Sequence, residues 1–179
     1  LKRAPYILLL FIALIGLQST TVRTAQMPDT RSVVKALYIY TFATLVEWPA
    51  EKRTGNFIIG VYGDQTAVFD ELKKKYSDRY IGSQKIEIRN YTDEKAVYES
   101  HILYVTKRNS QNLPSLVSIS QKNNVLLVTE QSGGLSSGAV VNFIIQDNQQ
   151  KYEINKTNAK KNKLVIAKKL SNLAAKVVK

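Results

Sequence analysis

The sequence predicts an α/β fold: a three-layer sandwich whose mostly parallel sheet ends in a C-terminal antiparallel hairpin, with helices on both faces. Three observations predict it. Residues 57–62 (FIIGVY), 102–105 (ILYV) and 125–129 (VLLVT) are short apolar runs, the pattern of strands covered on both faces. Amphipathic helical stretches alternate with them at the spacing of βαβ units. From Ala139 onward the alternation stops, and two strand-like stretches follow one another across Gln146 to Gln150, a connection too short for anything but an antiparallel hairpin.

Residues 32–64 organise the chain. Val34, Leu37, Tyr38, Phe42, Leu45 and Val46 recur at three- and four-residue intervals, which places them on one face of a helix, away from Lys35 and Thr41. Asp29 or Thr30 caps its start, and Pro49 stops it, because proline has no N–H and restricts the residue before it. The 57–62 strand follows. Residues 66–76 read as a helix with Val68, Phe69, Leu72 and Tyr76 inward, and its Lys73, Lys74 and Lys75 suit the negative end of the helix dipole. Residues 84–90 alternate polar and apolar, as a half-exposed strand near a sheet edge does.

Residues 93–100 give one or two helical turns before the strand at 101–105. Residues 113–120 form a short helix with Pro114 in its first turn, where proline is tolerated. The strand at 125–129 leads through a glycine-rich loop at 132–138 into the hairpin strands at 139–145 and 151–155. Asn155 is placed to cap a helix over 157–161. Leu164, Val165 and Ile166 are extended or begin a helix, and 168–178 closes the chain as a helix with Leu170, Leu173, Ala174 and Val177 inward. There is no internal repeat or low-complexity segment.

The first 25 residues read as a secretory signal rather than as domain. Lys2 and Arg3 precede an apolar stretch at 6–17, and small and polar residues follow, the layout of an export signal. An uncleaved membrane anchor is the other reading, although the stretch is short of the roughly 20 apolar residues a spanning helix needs. Residues 26–179 then form a single domain, long enough to bury about 70% of its unfolded surface. The chain has no cysteine, so it is stable outside the cell without disulfides.

Charge is unevenly spread. Of the formal +12, residues 151–179 contribute nine lysines against one acid, Glu153. A basic end on a nearly neutral body points to an anionic ligand, surface or partner, or to a plain solvated lysine face. Lys156, Lys160, Lys161, Lys163, Lys168 and Lys169 border two expected helix starts, where free N–H groups favour anions. Lys168 and Lys169 are the candidate anion contacts.

Other constellations carry less. Gly134, Ser136 and Gly138 match the G-x-S-x-G of a hydrolase elbow. That motif works only where a strand turns into a helix, and here strand-forming residues follow, with the sole histidine, His101, upstream. A glycine-rich turn is the better reading. His101 is expected to be structural, at the mouth of a strand. Gly60 and Gly63 make half a dinucleotide fingerprint and fit a tight turn instead. No metal-ligand cluster or carboxylate pair is present, and no cofactor is implied. Trp48, the only tryptophan, is either a core or hinge residue or a recognition anchor; it is the third candidate binding residue.

A family resemblance runs through the chain. Lys35-Ala36, Tyr38, Phe42, Glu47-Trp48-Pro49, Phe57, Ile59-Gly60-Val61 and Gly63 resemble the opening of the YfiR-like periplasmic proteins. The match resumes at residues 102–105, 125–129, Gly138, Asn142-Phe143, 152–155, Leu164, Lys169-Leu170 and Leu173-Ala174. The resemblance implies a non-enzymatic periplasmic signalling regulator. Its best-known relative inhibits a membrane-bound diguanylate cyclase through the cyclase's periplasmic sensor region, until an outer-membrane lipoprotein sequesters it. Carried over, this chain would control cyclic-di-GMP output or feed a histidine kinase, and would form a homodimer. The relative's cysteine pairs have no counterpart here. Glu47, Trp48, Gly138, Asn142, Asn155 and Leu170 match as fold determinants rather than contacts. The alternative is a periplasmic protein that binds an anionic metabolite or nucleotide at the basic end. An exported protein is not expected to bind nucleic acid despite its charge.

Overall fold

The computed structural model describes residues 29–63 and 66–179; the expected export signal at 1–25 lies outside them. In chain order the elements are α1 (Thr30–Leu45), β1 (Val46–Glu47), β2 (Phe57–Tyr62), α2 (Ala67–Tyr76), β3 (Tyr80–Ile81), β4 (Gln84–Tyr91) and β5 (Ile102–Val105). They continue with α3 (Leu113–Lys122), β6 (Leu126–Thr129), β7 (Val141–Gln146), β8 (Gln149–Asn155), α4 (Lys156–Lys161), β9 (Val165–Ile166), α5 (Lys168–Leu173) and β10 (Lys176–Val178). The main sheet has eight strands in the order β10-β8-β7-β6-β5-β2-β4-β3, and β1 pairs with β9 in a separate clasp. Strands β4, β2, β5, β6 and β7 run parallel, whereas β7 and β8 form the expected antiparallel hairpin.

All six residues of β2 are buried. Phe57, Ile59 and Val61 join Ala36, Ile39 and Phe42 of α1 and Phe69 and Leu72 of α2 in one core. Tyr62 joins Leu103, Val105, Leu127 and the α3 residues Leu113 and Leu116 in a second core on the opposite face. Two covered faces explain why these strands are apolar throughout. The three-layer reading therefore holds.

Five expectations need correction. The buried stripe of α1 is Ala36, Ile39, Phe42 and Ala43, rotated from the predicted face, and Leu37 is 52% exposed. The larger aromatics sit on its flanks: Tyr40 stacks on Tyr76 of α2 at 4.4 Å, and Tyr38 meets Tyr152 of β8 edge-on at 5.0 Å. Pro49 does not stop the helix. It ends at Leu45 because the next two residues pair with β9, and Ala167 N–H takes the Leu45 carbonyl at 3.1 Å.

The hairpin turn is also tighter than expected. Asp147 and Asn148 have φ of 53° and 57°, the left-handed pair of a two-residue I′ turn, which Asp and Asn tolerate best after glycine. The chain end, finally, is not one helix. α5 stops at Leu173, which is 58% exposed, while Leu170 is fully buried. Lys176, Val177 and Val178 then add a parallel edge strand to β8. β-branched residues beside an open sheet edge win over a weak helical pattern.

Gly60 serves close approach rather than a turn. A Cβ there would lie 2.6 Å from Tyr91 Cε2 and 2.7 Å from Ser100 Oγ, so nothing but a hydrogen fits. Gly63, with φ of 121°, is the glycine at the turn. Gly60→Ala is expected to cost about 1–3 kcal/mol by overpacking, read as a lower urea midpoint with unchanged slope. A midpoint equal to that of the parent chain would refute this packing.

Candidate functional site

The parallel strands are ordered β4-β2-β5-β6-β7. The chain leaves β2 towards one side, forms β4, and returns across β2 to form β5, so the winding direction reverses between β2 and β5. Loops that follow two such strands diverge to opposite faces and leave a crevice at their carboxyl ends, where doubly wound sheets hold ligands. In this protein the crevice exists, with a volume of about 550 Å³.

Each wall comes from a different element. α1 contributes Lys35, the start of α2 contributes Thr66 and Val68, and the segment after β5 contributes Thr106 to Asn109. Glu130, just beyond β6, closes the far side. Its carboxylate pairs with the Lys35 ammonium and accepts the Lys107 backbone N–H at 3.1 Å. Tyr104, 1% exposed, lies near the same carboxylate; burial, with that negative charge nearby, holds its hydroxyl well above the usual phenol range. The Lys35–Glu130 pair divides this crevice from a second cavity of about 460 Å³ over β7 and β8, which Arg31 and Glu153 also line. Among the described residues the lining of the first crevice thus carries Lys35, Lys107 and Arg108 against one acid, Glu130.

Asn142 braces the neighbouring strand ends. Its Oδ1 accepts from the Thr129 hydroxyl at 2.8 Å and its Nδ2 donates to Glu153 at 3.0 Å. Gly134 packs directly on this network: a Cβ would fall 2.4 Å from Thr129 Oγ1. Gly138 has φ of 111° and its Cβ would strike Val117 of α3. The glycines of the G-x-S-x-G stretch are therefore packing residues, Ser136 is exposed, and the chain continues into β7 rather than into a helix.

The sequence-predicted contacts lie elsewhere. Lys168 and Lys169 are exposed in the first turn of α5, a helix of only six residues. Trp48 is 5% exposed and sits edge-on to Phe57 at 5.0 Å, its indole N–H donating to the His101 carbonyl at 3.2 Å. It borders a groove of about 500 Å³ with Arg53 and Gln84, which neither lysine lines. The three are not brought together in one cavity. Lys107, Arg108 and Asn109 were missed. The only signal for them was polar K-R-N one residue beyond an apolar strand, and strand order, which decides its meaning, is not written locally.

The sequence profile of the YfiR/HmsC-like family, DUF4154, matches residues 32–175. The chain belongs to that family. The YfiR/HmsC-like proteins are periplasmic regulators, and among the described residues no helix is long and apolar enough to cross a membrane. No curated protein sequence matches significantly. Two solved structures share the fold. A conserved domain protein from Vibrio cholerae O1 biovar El Tor str. N16961 superposes with a TM-score of 0.55 at 10% identity, over 79% of this chain and 59% of that one. The ABC domain in complex with L-Trp from Streptococcus pneumoniae gives 0.51 at 11% identity, over 78% and 59%. This YfiR/HmsC-like chain thus spans 59% of the length of each.

At the amino ends of the strands His101 is tied into the fold, beside a cavity of about 630 Å³ that Lys52, Lys122 and Lys163 also line. His101 Nδ1 accepts the Ile58 N–H at 3.1 Å and Nε2 meets the Lys52 carbonyl at 2.6 Å, so both ring nitrogens are engaged by the neutral form. Phe57 stacks on the ring at 4.3 Å. Burial lowers the His101 pKa from 6.5 to about 4. The unfolded chain takes up the proton near its ordinary value while the folded chain does not. Stability is therefore full above about pH 6.5 and falls between about pH 6.5 and 4, by up to roughly 3 kcal/mol. Urea midpoints should show that slope, and His101→Phe should remove it between about pH 6.5 and 5. A flat wild-type midpoint across this range would contradict the buried neutral ring.

Proposed function

We propose that this protein is a non-enzymatic periplasmic signalling regulator that binds the sensor region of a membrane protein and controls its output. The single observation behind this reading is the family match across residues 32–175. The regulated protein is a diguanylate cyclase or a histidine kinase, reached through its periplasmic region, after export directed by residues 1–25. An outer-membrane lipoprotein that competes for the regulator would relieve control, and a homodimer would present two copies of the contact surface.

Regulation of this kind requires differential affinity. A bound regulator shifts a sensor only as far as it binds the off state more tightly than the on state. Moving the sensor from 1:99 to 99:1 takes roughly a 10⁴-fold preference. The excess of lysine in residues 151–179 supports encounter with an acidic sensor face or an anionic membrane surface, because a field of one sign raises the association rate.

Deleting the gene in its own host is the test, with cyclic-di-GMP and the phosphorylation of periplasm-sensing kinases measured alongside binding of the purified chain to the sensor domains. One output should change on deletion and return on complementation, and the corresponding sensor domain should bind saturably. Unchanged outputs together with no sensor binding would overturn the regulator reading.

A further inference from the structure

Family membership assigns no ligand to the crevice between β2 and β5, yet its lining has the composition of a binding site. Lys35, Lys107 and Arg108 come from two separate segments and converge on one cavity. Its volume of about 550 Å³ lies within the range of small-molecule sites, roughly 300–1,000 Å³. Polar donors stand among the cations. Thr66 Oγ1 accepts the Phe69 N–H at 3.3 Å, which leaves its own hydroxyl proton to donate. The Thr106 hydroxyl donates to Asn109 Oδ1 at 2.8 Å, and a Gly63 Cβ would fall 2.4 Å from that same oxygen. Asn109 is thus held by its oxygen, and among the described residues its amide N–H groups have no hydrogen-bond acceptor.

We propose that this crevice binds a small phosphate monoester, with Lys107 and Arg108 gripping the phosphate and Val68 and Tyr104 lying against the organic part. The donors favour phosphate over a carboxylate. Three cations, two side-chain donors and the first amides of α2 exceed what two carboxylate oxygens can use, whereas a dianion with three terminal oxygens uses them. The α2 amides reinforce a site that the cations and the cavity already define. Glu130 sets the affinity. It holds Lys35, and an arriving phosphate competes with it for that ammonium. This inference goes beyond the regulator reading and does not depend on it, because the ligand is bound by the isolated chain.

The test is a ¹⁵N NMR titration of the exported chain with phenyl phosphate at low salt, repeated with inorganic phosphate. Saturable shifts are expected at Thr106 to Asn109 and at the start of α2. Lys107 and Arg108 are exposed, so the double variant Lys107→Ala, Arg108→Ala keeps the parent spectrum while weakening binding by about tenfold or more. Glu130→Gln is expected to tighten binding, a gain that misfolding cannot mimic. Lys168→Ala with Lys169→Ala should leave it unchanged. Inorganic phosphate should bind more weakly than phenyl phosphate; equal affinities would remove the role given to Val68 and Tyr104. Absence of saturation, shifts centred on residues 160–169, or a double variant that binds like the parent would overturn the proposal.

Discussion

The structure depends on β2 being buried from both sides. Its six residues are buried because α1 and α2 cover one face and the α3 side covers the other, and because β4 and β5 flank it within the sheet. A strand with two covered faces and two paired edges has no freedom of register. Gly60 tightens this further, since Tyr91 and Ser100 occupy the space its side chain would need. The remaining elements are arranged about that fixed strand.

The central position of β2 also divides the molecule chemically. At the amino ends of the strands several polar groups tie elements together: Trp48 and His101 hydrogen-bond across β2 and β5, and Lys52 donates to the Ser100 carbonyl at 3.0 Å. Asn158 donates to the Leu135 and Ala139 carbonyls, and Asn162 to that of Val125. At the carboxyl ends the reversal of winding keeps the loops apart, and there two of the cavities and the Lys35–Glu130 pair are found. Both ends of the sheet carry cavities, and at the amino ends buried polar side chains also tie the strands together.

Much of this was legible in the sequence, and the failures share a cause. The apolar runs, the Asp29 and Asn155 caps and the hairpin follow from local chemistry, so they were readable. The face of α1 was misjudged because Leu37 and Ala36 compete for inward positions, and the surrounding aromatics of α2 and β8 decide in favour of the small residue. The end of α5 was misjudged because Val177 and Val178 take their conformation from an open edge of β8, more than twenty residues upstream in sequence. The basic end drew attention to Lys168 and Lys169 by charge alone. The crevice residues Lys107, Arg108 and Asn109 acquire meaning only from strand order, a long-range property.

Native-state hydrogen exchange tests the role of β2 most directly. Backbone amides of β2 should be among the slowest in the chain, exchanging only through global unfolding, with free energies equal to that from urea denaturation, while those of the edge strand β10 exchange by local opening. If β2 amides exchange as fast as those of β10, the strand is not the fixed centre of the fold, and the account built on it fails.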